Sequence, residues 1–593
     1  MQRSGLEQAC VNADKPVATH LKLLLRYLRP QTGRVALLSL LLAAGVAMQL
    51  VNPQIVRFFI DTAVSGGESR SLTQAALLFI GIALSVQLVS VLTTYIGENV
   101  AWSATNALRR DLTLHCLSLD MSFHKDHRAG ELIERIDGDA SALSNFFTKL
   151  VVMVLANALL IAGMLALLFR EDWHVGVALS AFAAMAVASL LCVQSLAVPF
   201  WVKVREIRAE FFGFVGEHVS GAADISSNGA VPHVMRRFYE ILRSWLPKRL
   251  QADLVGYSMW MTSLAVFAIG HAIAFGVSGY LWSRGAITIG TAYLIFHYTN
   301  LLQGPVHQIR SQLEDLQKAT ASIKRMQELL SLRPAIKDGG GPPLSPGQLS
   351  LQFDSVSFAY DGDQQVLHDV TVSVPAGEVV GVLGRTGSGK TTLARLLARF
   401  YEPSSGRIML GGRDISSVPI NNLRQRVGIV SQDVQVFKAT LRENVRLFDQ
   451  SVTDEQVTDA LDTVGLGEWL RSLPMGLDTV MERDGSGLSA GEAQLLALSR
   501  VFLRDPGLVV LDEASSRIDP ATERLLQKAI DRLMSGRTGF IIAHRFSTLD
   551  RADWILILED GRVCEFGRRE SLAGDPRSRY SRLLRAGIEE VLR

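Results

Sequence analysis

Residues 384–391 carry the chemistry that is simplest to name. Gly384-Arg385-Thr386-Gly387-Ser388-Gly389-Lys390-Thr391 satisfies G-x-x-x-x-G-K-[ST] without a mismatch, a pattern that binds phosphate for physical reasons. Its three glycines let several backbone N–H groups turn toward one anion. Lys390 can bring a full positive charge to β- and γ-phosphates, and Thr391 a hydroxyl to Mg²⁺. The apolar run Val379 to Leu383 reads as a buried strand, and Thr392 to Ala398 as a helix with apolar spacing. The loop would thus lie between a strand and the positive end of a helix. About 120 residues further on comes the partner motif. Leu508-Val509-Val510-Leu511 reads as a second buried strand and ends in Asp512-Glu513. The first carboxylate can hold Mg²⁺ through water, and the second can polarise an attacking water as general base.

The elements that position these groups follow from composition. A chain of 593 residues is too long for one core. Its net charge of +2 argues against nucleic acid as the main partner. A mean hydropathy of +0.21, with 48% hydrophobic residues, points to membrane spans. Cys10, Cys116, Cys192 and Cys564 are too scattered for a disulfide framework or a metal site. Residues 1–30 are polar and mixed in charge, unlike a secretory signal or a transit peptide, so the first apolar segment is expected to be an uncleaved anchor.

Apolar segments near 35–58, 73–96, 149–169, 173–196, 259–282 and 285–304 are each about 20 residues, enough to cross a hydrocarbon core of roughly 30 Å. Lys and Arg concentrate before the first span, in the 97–148 and 197–258 loops and after the sixth span. The positive-inside rule then places both termini and both long loops in the cytoplasm. Helical apolar spacing in those loops (Leu108, Leu112, Leu114, Leu117 and Leu119) predicts helices that continue beyond the membrane. They are expected to turn back near Gly130-Glu131-Leu132 and near Phe238. The polar exceptions inside the spans are Gln49, Asn52, Gln87, Asn157, Gln194, His271, His297 and Gln303. Each is expected to face a cavity, to bond between helices or to lie near the membrane surface. Nearly uncharged spans suit amphipathic or apolar cargo better than a small ion. A Pro/Gly cluster at 331–350 reads as a linker. Short apolar strands alternate with helices beyond it. The expected fold is multidomain: an all-α six-helix transmembrane domain (31–330), then an α/β P-loop NTPase domain with a largely parallel sheet (351–593).

With these motifs in this order, the chain resembles the ATP-binding cassette (ABC) transporters, and its half-transporter layout resembles their exporter-type branch. The resemblance covers roughly 20–590 and implies ATP and Mg²⁺ as cofactors. It makes Tyr360 the aromatic that stacks on adenine, and Gln432 the glutamine that senses the γ-phosphate. Leu488-Ser489-Ala490-Gly491-Glu492 matches the signature motif, Ser515 to Asp519 the dimer-contacting loop, and His544 the switch histidine. The implied catalytic set is Glu513, His544, Gln432 and Lys390. ATP would be held by Tyr360, Gly384, Arg385, Thr386, Gly387, Ser388, Gly389, Lys390, Thr391, Thr392, Gln432, Ser489, Gly491 and Asp519. The metal would be held by Thr391, Gln432 and Asp512.

In this family one cassette's signature completes the other's ATP site, so the resemblance implies a dimer of half-transporters. The usual signature is L-S-G-G-Q, and this chain has Ala490 and Glu492 where the family has glycine and glutamine. The added methyl and negative charge would weaken the ATP site this signature completes, which favours a heterodimer over a homodimer. The expected activity is ATP-driven export of a small-molecule, lipid or peptide cargo across a bacterial inner membrane. Two alternatives stay open: an importer of siderophore-like cargo on the same scaffold, and an ATP-dependent gate or regulator that moves no cargo.

Overall fold

The computed structural model describes residues 26–145, 154–360, 364–482, 487–512, 519–543 and 546–586. They fall into two compact units. One comprises the described residues up to Leu117 together with Ala129–Leu332, and the other comprises Ser118–Arg128 with the described residues from Arg333 on.

The first unit is helical. In chain order its elements are α1 (Thr32–Val64), α2 (Ser69–Ser118), then, after α3 (Met121–Asp126) of the other unit, α4 (Asp139–Asn145), α5 (Leu155–Glu171), α6 (Trp173–Ser220), α7 (Ala222–Ser227), α8 (Val231–Ser283), α9 (Ile289–Leu301) and α10 (Gln303–Ser331). Among the described residues, the helices Arg26–Val64, Ser69–Ser118, Trp173–Ser220 and Val231–Ser283 are long and apolar enough to cross a membrane. A helix is the natural solution there, because hydrocarbon offers backbone groups no other partner. At about 1.5 Å per residue, α2 is about 75 Å long, far more than a span of roughly 30 Å requires. The expected third span lies partly outside the described residues, and α5 is its described part. The sixth divides at Leu302 into α9 and α10. Pro305 has no N–H for the Leu301 carbonyl, while Leu302 N–H reaches Tyr298 O and Val306 N–H reaches Leu302 O. The ladder is interrupted and the helical path carries on.

The long helices reverse elsewhere than expected. Gly130 lies within a short helix, Ala129–Ile133, and the chain turns before it, through α3. Phe238 lies inside α8, and the second reversal is at Asn228-Gly229-Ala230. Gly229 takes φ +64°, and Ala230 N–H bonds back to Ile225 O. Asn-Gly followed by Pro232 in the first turn of α8 is the local turn signal.

The core of this unit joins α5, α6, α8 and α9 through Met164, Leu168, Leu179, Phe182, Phe267 and Leu294. Polar ties add to it. Tyr298 OH donates to Leu50 O at 2.8 Å and accepts from Gln54. Arg57 pairs with Glu171. Asp61 accepts from Thr288 Oγ1 and from Gly290 N–H, both at 2.8 Å, so the end of α1 is fastened to the start of α9.

The second unit contains, among its described residues, two sheets. Its strands are β1 (Leu351–Ala359), β2 (Gln365–Val374), β3 (Val379–Leu383), β4 (Ser405–Leu410), β5 (Arg413–Asp414), β6 (Val427–Val430), β7 (Leu508–Asp512), β8 (Thr538–Ile542), β9 (Trp554–Glu559) and β10 (Arg562–Arg568). An antiparallel sheet has the order β2-β1-β4-β5, and a six-stranded sheet the order β10-β9-β3-β8-β7-β6. In the larger sheet only the β9–β10 pairing is antiparallel. Its inner strands β3, β7 and β8 are nearly all apolar and buried because both faces are covered. Val380, Val382, Leu508, Val510, Phe540 and Ile542 enter one core, shared with the small sheet. Their neighbours Val379, Leu383, Val509, Leu511 and Ile541 enter the other, shared with the helical side.

The stretch expected as a linker is fastened to this unit. Lys337 O accepts from Arg399, Asp338 caps Ile420 N–H, and Gly341 N–H reaches Ser417 O at 2.8 Å. A Cβ on Gly341 would lie 2.7 Å from that same oxygen, so glycine here serves close approach and not slack.

Asp61→Ala leaves the Gly290 N–H and Thr288 hydroxyl without their acceptor, at a cost of about 1–3 kcal/mol. Thermal melts of nanodisc-embedded protein should show a lower Tm for this variant, and no shift for Glu68→Ala on the exposed turn.

Candidate functional site

β3 leads directly into the phosphate loop. Its five residues are all buried, so the position of Gly384 is set by packing on both sides of the sheet. The loop closes with a turn, Ser388 N–H to Arg385 O at 3.1 Å. Gly387 and Gly389 take φ +84° and +102°, a region that side chains disfavour. Gly389 is also the cap of α11 (Lys390–Leu397), and a Cβ there would lie 2.6 Å from Leu367 Cδ2. The first-turn N–H groups of α11 have no partner within the helix.

Lys390 is 5% exposed, and its ammonium donates to Gly384 O at 2.6 Å and Arg385 O at 3.0 Å. Arg385, Thr386 and Thr391 are exposed beside it. Ser388 Oγ is buried without a hydrogen-bond partner among the described residues. A buried hydroxyl and a buried ammonium at the N-terminus of a helix fit a phosphate chain.

Tyr360, at the end of β1, is joined to this loop. Its hydroxyl meets Thr392 Oγ1 at 3.0 Å and accepts from Arg395 at 3.3 Å. Its ring stands edge-on to Phe358 and Tyr401. Burial, with Tyr360 alongside, pushes the Tyr401 phenol up. Lys125, on α3, sits 5.1 Å from the Tyr360 ring centroid. This cation–π contact was not legible in the sequence, since the two residues lie far apart in the chain and no motif links them.

Sheet order gathers the remaining strand ends. Val382 pairs with Ile542, and Ile542 with Asp512. Asp512 therefore lies in the row where β3 ends, two strand spacings away, about 10 Å. β6 is the next strand, with Val430 opposite Leu511, and Gln432 follows it as an exposed residue on the same edge. Glu513, Ser515 to Ile518 and His544 lie outside the described residues.

The signature stands on a different element, α12 (Ala490–Phe502). Ser489 caps this helix, accepting from Glu492 N–H at 3.2 Å, while Glu492 Oε2 accepts from Ser489 N–H at 2.7 Å. Glutamate at this position thus completes a capping box, so its charge has a structural task. Gly491 is buried and Ala490 exposed. Arg500, further along α12, donates to Gln435 O at 3.0 Å and Asn444 O at 2.8 Å. It ties the signature helix to the loop that follows Gln432. Burial lowers its guanidinium to about 10. Asp519 caps α13 (Pro520–Met534), accepting from Ala521 and Thr522 N–H, both at 3.0 Å. Hydrogen bonds from Thr522 hold its carboxyl below the usual range.

The polar residues of the helical unit divide as well. His271 Nδ1 bonds its own helix at Phe267 O, and Asn157 donates to Gln308 at 2.7 Å. Asn52 Oδ1 and Gln194 Oε1 are buried without hydrogen-bond partners among the described residues.

Residues 367–516 match the family model described as ABC transporter, and residues 35–306 match the ABC transporter transmembrane region. An uncharacterized ABC transporter ATP-binding protein of Bacillus subtilis, YfiC, is 30% identical over 92% of this chain and 91% of its own length. The ATP-dependent lipid A-core flippase of Chromobacterium violaceum is 29% identical over 91% of this chain and 92% of its own. A multidrug resistance ABC transporter ATP-binding and permease protein of Lactococcus lactis is 28% identical over 94% of each chain. Among solved structures, a bacterial Atm1-family ABC exporter with ATP bound superposes with a TM-score of 0.79. It is 24% identical and covers 94% of this chain and 98% of that one.

Gly389→Ala forces a side chain into a positive φ and against Leu367. Nucleotide binding, followed with a fluorescent ATP analogue, should fall at least tenfold. Arg500→Met strips the Gln435 and Asn444 carbonyls of their donor and should lower the Tm of the full chain, at a cost of about 1–3 kcal/mol for the part-buried Asn444 carbonyl.

Proposed function

This chain belongs to the ABC transporter family and is an ATP-driven translocase, and we propose that it exports an amphipathic or apolar cargo by alternating access as a dimer of half-transporters. One observation carries the reading: a phosphate loop with a buried Lys390 and an unpartnered Ser388 hydroxyl stands in the same chain as apolar helices much longer than a span. ATP can favour a closed dimer only by binding it better than the open one. Long helices are suited to carry that closure into the membrane. The names of the two relatives above, a lipid A-core flippase and a multidrug resistance transporter, support a lipid or small-molecule cargo, and a peptide remains within the class.

In this reading Tyr360 stacks on adenine, and Lys390 with the 384–392 backbone neutralises the phosphates. Gln432 senses the γ-phosphate, Glu513 polarises the attacking water, and His544 donates to the γ-phosphate. Among the described residues no group of three or more His, Cys, Asp or Glu is placed to hold a metal. Mg²⁺ would arrive with the nucleotide, held by Thr391, Gln432 and, through water, Asp512, and would neutralise phosphate charge. Ser489, Gly491 and Asp519 would face the partner's nucleotide. The partner is a second half-transporter, and a non-identical one is favoured because Ala490 and Glu492 put a methyl and a charge where phosphate approaches. The basic loops favour a cytoplasmic ATPase domain (351–593) and cytoplasmic termini, and the many Ala, Leu and Arg with few Lys, a composition that suggests a GC-rich bacterium, favour a bacterial inner membrane.

The test is ATP hydrolysis by nanodisc-embedded protein. Glu513→Gln should reduce kcat by about 10²–10⁴-fold, as loss of a general base does, while leaving ATP binding in place. Robust hydrolysis from the chain alone would replace the heterodimer with a homodimer. ATP-dependent accumulation of cargo in inside-out vesicles supports export. Depletion from them would mean import, and hydrolysis without movement of any cargo would mean a regulator.

A further inference from the structure

The short helix α3 belongs to the same unit as the nucleotide site and is held there at both ends. Asp120, its N-cap residue, accepts from Ala335 N–H, just ahead of the stretch fastened by Arg399 and Ile420. At the other end Lys125 stands over the Tyr360 ring, with its ammonium 5.1 Å from the centroid.

The surroundings of the ring decide which side the cation takes. Tyr360 is half-buried and packs on the core of the small sheet. Phe358 and Tyr401 stand nearly perpendicular to it, at 4.8 and 5.1 Å. Its hydroxyl is bonded to Thr392 and Arg395 on α11, so the ring is fixed in one orientation. Lys125, by contrast, is exposed. The ammonium therefore lies on the solvent side of the ring, which is the side a base arriving from solvent must use.

A base stacks at van der Waals contact, about 3.5–4.0 Å above a ring. An ammonium 5.1 Å from the centroid leaves no room for it in between, so the Lys125 contact and base stacking exclude each other. The contact is one that can yield. Lysine is a strongly hydrated charge on a flexible stem, and a solvent-exposed cation–π pair is weaker than base–aromatic stacking. A nucleotide takes the ring, at reduced affinity.

We propose that Lys125 competes with adenine for Tyr360, and that nucleotide binding releases this end of α3 while Asp120 keeps the other. The proposal rests on the reading in which Tyr360 stacks on adenine, and adds to it a residue that sets how tightly the base is held. By linkage, whatever affinity the contact takes from ATP, ATP takes from the contact.

Tripolyphosphate carries the phosphates without the base. The ratio of ATP affinity to tripolyphosphate affinity thus separates the ring from the general loss of a positive charge. Both are measured by displacement of a fluorescent ATP analogue from nanodisc-embedded protein without Mg²⁺, where hydrolysis does not intervene. Lys125→Met should raise the ratio about two- to fivefold, the strength of an exposed cation–π contact. Lys125→Arg keeps a cation that stacks on rings and should leave the ratio at or below its wild-type value. In a Tyr360→Leu background, Lys125→Met should change nothing. A gain in affinity cannot come from a variant that fails to fold. A ratio that stays level or falls in Lys125→Met, one that rises in Lys125→Arg, or a rise that persists without the Tyr360 ring overturns the proposal. The two readings fail separately. Undiminished ATP binding in Tyr360→Leu would remove base stacking and the competition with it. Weakened ATP binding in Tyr360→Leu, beside a level ratio in Lys125→Met, would keep stacking and sink the competition alone.

Discussion

Burial of β3 on both faces is the constraint on which the nucleotide end of this protein depends. The strand has Val379 and Leu383 in one core and Val380 and Val382 in the other, so it can neither slide nor rotate without exposing apolar surface. A one-residue slip would exchange the two faces. The phosphate loop inherits that rigidity. Its glycines are then free to take left-handed conformations while Lys390 is held against the loop carbonyls. A binding loop that is flexible by composition is made specific by the strand it leaves.

The same sheet brings distant chemistry into one row. Gly384 and Gln432 follow the ends of β3 and β6, Asp512 is the last residue of β7, and parallel pairing places those ends on one edge. Parallel sheets in general gather ligands at the carboxyl ends of their strands. Beyond the edge, side chains join neighbouring elements. Tyr360 reaches Thr392, Lys125 covers Tyr360, and Arg500 ties the signature helix to the glutamine loop. A change at the nucleotide therefore meets a bonded network.

The helical unit answers a different constraint. Hydrocarbon leaves backbone groups only their own helix as partner, so length and apolar composition decide what can span. Polar side chains then act as discrete ties, as Asp61 does between α1 and the start of α9. Such charges stand out because so few others share these helices.

The amino-acid sequence by itself determined the elements whose signals are local: the phosphate loop between strand and helix, the buried strand ending in Asp512, the apolar spans, and the family they compose. Each depends on residues within about one element of each other, where periodicity and turn chemistry act. Where a local signal was read in the wrong place, as at Phe238 instead of Asn228-Gly229, the turn residues were there to be weighed. Glu492 was legible as a charge and illegible as the second half of a capping box, because that depends on where α12 begins. Tertiary structure alone decided that Lys125 meets Tyr360 and that the glycine-rich 337–343 stretch is fastened down. These contacts join residues tens to hundreds of positions apart, or turn on which face a helix presents. Only the packing of the whole chain, which balances the burial of every apolar surface at once, selects among them.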